Sequence, residues 1–133
     1  MMRTVCLLLA LGMGAAQAGA AQSPSDVGQI VNSQDTAPMR QVSLRGLDTL
    51  NGLVETLTLG VGETIRFGQL EITLEACRAP REDPASDAYA FLRIRDVREE
   101  APRFSGWMFA SSPALSALDH PRYDVWVLSC SNS

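Results

Sequence analysis

From Gln41 onward the chain is a series of short apolar runs cut by turn residues. The clearest run, residues 70–77, alternates: Leu70, Ile72, Leu74 and Ala76 fall on one face, and Glu71, Thr73 and Glu75 on the other. A period of two marks a half-buried strand. The same reading predicts strands at 41–45, 53–59, 63–67, 88–97, 104–110 and 123–130. Gly46 ends the first, residues 47–52 form a turn, and Gly60-Val61-Gly62 breaks the second from the third. Residues 78–87 (RAPREDPASD) read as a charged loop. Residues 111–119 read as one or two helical turns, with Ser112 as N-cap, Pro113 as first helical residue and Pro121 as the stop. The pattern therefore predicts a mainly all-β domain over residues 40–133. Its expected form is a small antiparallel sandwich or barrel of six or seven short strands, with one short helix before the last strand.

Ahead of that domain the pattern differs twice. Residues 21–39 are polar and small, with two prolines and no apolar period, and read as a flexible segment. Residues 1–20 have a basic start at Arg3, an uncharged Leu/Ala/Met stretch from Val5 to Ala16, and two A-x-A sites ending at Ala18 and Ala20. That is the three-part layout of a secretory signal peptide. The apolar stretch is shorter than the ~20 residues of a membrane span. The expectation is export to the periplasm, with cleavage after Ala18 or Ala20 and no stable membrane insertion afterwards. Cys6 stands at the start of the apolar run, not after a small-residue site, so it leaves with the leader and carries no lipid anchor.

Removal of the leader leaves Cys77 and Cys130. An even count in an exported chain points to one structural disulfide. Closing a loop of about 54 residues stabilises by roughly 4 kcal/mol on the chain-entropy argument. The thiols are far apart in sequence, with no C-x-x-C, which argues against a redox-active pair.

Without Arg3, ten arginines face fifteen carboxylates, and the chain has no lysine. This acidic balance argues against nucleic acid or anionic membrane as partner. One His and no C-x-x-C leave no zinc or copper ligand set, and the acids near Glu82, Asp83 and Asp87 do not follow an EF-hand loop, so no metal or cofactor is expected. No phosphate-cradling Gly-rich motif occurs. His120 lies near Ser111, Ser112, Ser116, Asp119 and Asp124, which are the residue types of a catalytic triad, but no G-x-S-x-G elbow accompanies them.

The densest chemistry is in residues 104–130, which hold both tryptophans and the only histidine. On the sixth run Trp107 and Phe109 oppose Phe104 and Met108. On the last, Trp126, Leu128 and Cys130 oppose Tyr123, Val125 and Val127. Apolar groups on both faces mean strands buried on both sides or a binding face. Trp107, Phe109, His120, Tyr123 and Trp126 are the candidate contact surface. A second row, Tyr89, Phe91, Arg93 and Arg95, reads as a solvated sheet face paired across strands to Glu71 and Glu75.

The segment SGWMFASSPALSALDHPRYDVWVLSC, with RFGQLEITLEAC and LRGLDTLNGLVETLTLGVGETIRF before it, resembles the small exported proteobacterial proteins of domain-of-unknown-function family 2155. The resemblance covers about residues 42–130. Gly106-Trp107-Met108 and His120-Pro121-x-Tyr123-Asp124 are its specific parts, and both cysteines that its pattern leads one to expect are present. It implies a periplasmic location and brings no activity or catalytic residues. The reading overall is a non-catalytic binding or interaction module of the cell envelope whose partner is another envelope protein. Two alternatives stand beside it: a small hydrolase using His120 with a nearby Ser and Asp, and a carbohydrate or peptidoglycan binding module using the aromatics.

Overall fold

The computed structural model describes residues 34–133, together with Gly12, Gly14 and Val31 ahead of them. The expected signal peptide and most of the expected flexible segment lie outside the described residues. Eight strands follow in order: β1 (Thr36–Met39), β2 (Gln41–Asp48), β3 (Leu53–Gly60), β4 (Thr64–Phe67), β5 (Leu70–Pro80), β6 (Tyr89–Asp96), β7 (Phe104–Phe109) and β8 (Tyr123–Ser131). One 3-10 turn, Pro113–Leu115, precedes β8. Every pairing is antiparallel. Strands β5, β6 and β7 are consecutive in the larger sheet, and β1 and β4 both pair with β5; β3, β2 and β8 form the smaller sheet. The two sheets make a sandwich and do not close into a barrel. Their apolar faces meet in one core that includes Leu44, Leu59, Leu70, Ile72, Leu74, Leu92, Ile94 and Val127.

The strand that the pattern does not predict, β1, falls at the end of the segment expected to be flexible. β1 has no apolar period because it is held by its backbone and by two arginines from the end of β5 and just beyond it. The Arg78 guanidinium donates to the Thr36 hydroxyl and carbonyl (2.9 and 3.0 Å) and to the Val31 carbonyl (3.1 Å). Arg81 donates to the carbonyls of Gln34 and Thr36. Pro38 fits here because an edge strand tolerates a missing N–H.

Gly46 does not end β2, which runs on to Asp48. A Cβ at Gly46 would stand 2.9 Å from the Phe67 ring, so the glycine is a socket for an aromatic packed across the sandwich. The expected helix shrinks to a single turn. Ser112 makes no side-chain capping bond, and the backbone is already extended at Ser116. Leu118, three residues past the turn, is buried in the core, and reaching it requires leaving the helix early.

Two bulges change which residues face the core. In β5 the register skips Glu75, so Ala76 turns outward and Cys77 inward. In β8 the register skips Leu128, which is 38% exposed, and Cys130 moves from the face of Trp126 to that of Val127. An extra residue in one strand reverses the alternation beyond it. Both reversals are needed for the two thiols to meet. The Cys77–Cys130 disulfide then joins the sheets with Cα atoms 5.9 Å apart. Stacked sheets normally lie about 10 Å apart, so the sandwich is pinched at this end.

A Cys77→Ala/Cys130→Ala variant should lose about 2–4 kcal/mol of unfolding free energy in urea, measured against the oxidised protein. An unchanged midpoint would remove the disulfide as a stabilising staple.

Candidate functional site

The opposite end of the sandwich is closed by charge. Asp96 ends β6 on the face already formed by Ala90, Leu92 and Ile94, and is fully buried. A carboxylate there needs partners for both oxygens. Its Oδ1 accepts from the Arg98 backbone N–H (3.0 Å) and Nε (2.9 Å); its Oδ2 accepts from Arg98 Nη2 (2.7 Å) and lies 3.0 Å from His120 Nε2. The other imidazole nitrogen, Nδ1, accepts the backbone N–H groups of Arg122 (3.0 Å) and Tyr123 (3.2 Å). With Nδ1 facing two donors, the ring proton sits on Nε2 and is donated to Asp96. The Arg98 guanidinium, and after it His120, hold the Asp96 carboxyl well below its ordinary value of 3.8.

The network continues across the smaller sheet. Arg122 grips Asp48 at the end of β2 through Nε (3.0 Å) and Nη2 (2.8 Å), and these bonds lower the Asp48 carboxyl. The same guanidinium stands 5.1 Å from the centre of the Tyr123 ring. The Tyr123 hydroxyl accepts the Gln69 N–H (3.1 Å), and a Cβ at Gly68, where φ is +56°, would fall 2.5 Å from that oxygen. Beside this network Arg103 makes a two-point contact with Glu99.

This geometry corrects the expected site. Tyr123 is 1% exposed and is core. The His120 side chain is also 1% exposed, and both its nitrogens are engaged. Its carboxylate is Asp96, not Asp119 or Asp124, and neither Ser112 nor Ser116 bonds to it. A triad needs a serine hydroxyl at the second nitrogen, and two backbone N–H groups occupy that place. Ser111, the nearby serine with a carboxylate, bonds Asp87 instead (2.6 Å). Phe109 is buried against Tyr89 on the outer face of the larger sheet, with ring centres 5.6 Å apart. The half-buried Trp107 shares that face, edge-on to Phe91 at 5.4 Å, while Trp126 lies half-buried on the outer face of the other sheet. The five residues thus divide among the interior and two opposite surfaces. The row beside Phe91 pairs as the pattern expects, Arg93 with Glu75 (2.6 Å) and Arg95 with Glu71 (2.9 Å).

Two aromatic faces remain partly open to solvent, those of Trp107 and Trp126. A cleft of about 450 Å³ runs beside the Trp107 indole. Ala76, turned outward by the bulge, and Arg78 line it; Pro38, Arg40 and Val61 line it too. A smaller cleft of about 330 Å³ lies between the segment carrying the 3-10 turn and Trp126. Among the described residues no cluster of His, Cys, Asp and Glu could hold a metal, and no helix is long and apolar enough to cross a membrane.

Two measurements check the charged end. Long-range proton–nitrogen NMR should find His120 protonated at Nε2; a proton on Nδ1 would overturn the assignment. Asp96, with its folded pKa depressed, stabilises fully above the ordinary carboxylate range and progressively less as pH falls through it. Urea midpoints should therefore drop on acidification below about pH 4, and the drop should be shallower in Asp96→Asn, which starts from lower stability.

Comparison with known proteins adds family membership and no activity. The "Uncharacterized protein RP359" of Rickettsia prowazekii (strain Madrid E) is 31% identical over 87 residues, covering 63% of this chain and 56% of its own length. The chain thus spans little more than half of that relative. No solved structure matches. The family model "Uncharacterized protein conserved in bacteria (DUF2155)" matches residues 42–130, from the start of β2 to Cys130 in β8, and the chain belongs to that family.

Proposed function

We propose that this chain is an exported, periplasmic, non-catalytic binding domain of the cell envelope, and that it engages another envelope protein through the outer face of the larger sheet around Trp107. The observation that carries this reading is the contrast between the two ends of its chemistry. The Asp96–His120 pair is sealed and fully bonded, as a structural element would be. Trp107 is held edge-on by Phe91 yet left half open beside a cleft, which is how aromatic anchors of interfaces are presented. An inter-sheet disulfide suits an oxidising compartment, and the leader-like residues 1–20 suit export.

The test is site-specific photo-crosslinking in cells. A benzophenone amino acid at position 107 should give a reproducible adduct with one envelope protein, and the same group at the exposed Thr58, on the other sheet, should not. No adduct from position 107, or identical adducts from both, would sink the reading. Fractionation should recover the chain in the periplasm with both thiols protected from alkylation; a cytoplasmic, thiol-reactive chain would remove the export half of the proposal.

A further inference from the structure

The ion pairs of this protein are unevenly spent. Arg93, Arg95, Arg98, Arg103 and Arg122 each face a carboxylate within 4 Å. Among the described residues Arg78 faces none: its guanidinium is satisfied by the neutral oxygens of Val31 and Thr36. Among the described residues the exposed Arg40 side chain has no hydrogen-bond or ion-pair partner. Both line the Trp107 cleft, whose one acid, Glu75, is taken by Arg93. A chain with a formal charge of −4 thus places two uncompensated guanidinium charges beside an indole. The other walls, from Pro38, Val61 and Ala76, are apolar. Such a cleft rewards an apolar group and an anion presented together, since a guanidinium binds carboxylate in two-point fashion and the indole covers the apolar neighbour.

We infer that the Trp107 cleft binds a short acidic segment of a protein partner, in which an apolar side chain seats against Trp107 and Ala76 while an adjacent carboxylate pairs with Arg40 and Arg78. This rests on the binding-module reading and narrows it. The volume of about 450 Å³ is in the range of small-ligand sites, enough for a few residues of peptide. The attraction is local, between the two guanidinium groups and the carboxylate, and acts against the chain's own net negative charge, so binding should weaken with salt. Arg45, the comparison residue, stands opposite Trp126 in the ladder of the smaller sheet and is also without a carboxylate; its buried Nε has no hydrogen-bond partner among the described residues. It lines neither the Trp107 nor the Trp126 cleft.

The experiment is NMR titration of the full disulfide-bonded chain with acetyl-Leu-Asp-Leu-Glu-amide and its uncharged counterpart acetyl-Leu-Asn-Leu-Gln-amide. The acidic peptide should give saturable shifts at Arg40, the Ala76–Arg78 amides and the Trp107 indole, and the neutral one much smaller shifts. Arg40→Gln should weaken binding by about threefold to tenfold, Trp107→Ala by more, and Arg45→Gln not at all. Arg40→Gln keeps the test decisive should Trp107→Ala fold poorly, because the Arg40 side chain is exposed. Equal shifts from the neutral peptide, shifts elsewhere, or none would overturn the inference. So would galacturonic acid saturating the cleft while the peptide is silent, which would give the site to a sugar acid. A protein adduct from position 107 with no response to acidic peptide leaves the binding-module reading standing and removes only this one.

Discussion

A buried carboxylate at the end of β6 organises the closed end of this sandwich. Asp96 occupies a position that the alternation of Ala90, Leu92 and Ile94 assigns to the core. Water cannot solvate it there, so protein donors must. Arg98, two residues on, folds back to supply three of them, which bends the chain after β6. His120 supplies the fourth from a different loop. Because His120 also accepts the N–H groups of Arg122 and Tyr123, the carboxylate indirectly sets where β8 begins. Tyr123 follows, placed with its ring near Phe67 and its hydroxyl at Gln69, and this ties the start of β8 to the β4–β5 turn of the other sheet. One charge thus determines two loops and a contact between the sheets.

The two ends of the sandwich are secured by different chemistry. At one, Cys77 and Cys130 cross between sheets covalently. At the other, His120–Asp96 and Tyr123–Gln69 do so by directed hydrogen bonds, while Arg122–Asp48 braces the smaller sheet beside them. A small domain buries a modest fraction of its surface, so clamps at both ends supply order that the apolar layer alone does not. The covalent clamp depends on the two bulges. Without the skip at Glu75, Cys77 would take the outer face of Glu71 and Thr73; without the skip at Leu128, Cys130 would share Trp126's face. Bulges at both sites are features the disulfide requires.

Strand positions were legible because the period of two survives in sequence wherever one face is buried. Seven strands and the cross-strand pairs of Arg93 and Arg95 followed from that alone. What the pattern could not carry was parity beyond a bulge: nothing in LEITLEAC distinguishes an outward Ala76 from an inward one, since both Ala and Cys tolerate either face. β1 was illegible for another reason, its support coming from Arg78 and Arg81, more than forty residues away in sequence. Gly46 looked like a break because the Phe67 ring that requires it is likewise distant. Asp96 did leave a signal, an acid continuing an apolar face in step, and Asp48 left the same one after Val42, Leu44 and Gly46. Buried acids of this kind are read from being in phase with the core.

Phase with the core likewise separates buried from exposed aromatics. Tyr123 and Trp107 looked equivalent in sequence, each in a strand with apolar groups on both faces. In the fold, Tyr123 is in step with Val125 and Val127 and faces the core, while Trp107 is in step with Phe109 and faces outward. The bulge at Glu75 then matters a second time. By turning the small Ala76 outward, two strands from Trp107, it leaves room beside the indole that a regular alternation would fill with the glutamate side chain. The device that aims Cys77 inward also opens the cleft beside Trp107, so one extra residue in β5 serves both the disulfide and the space at the indole.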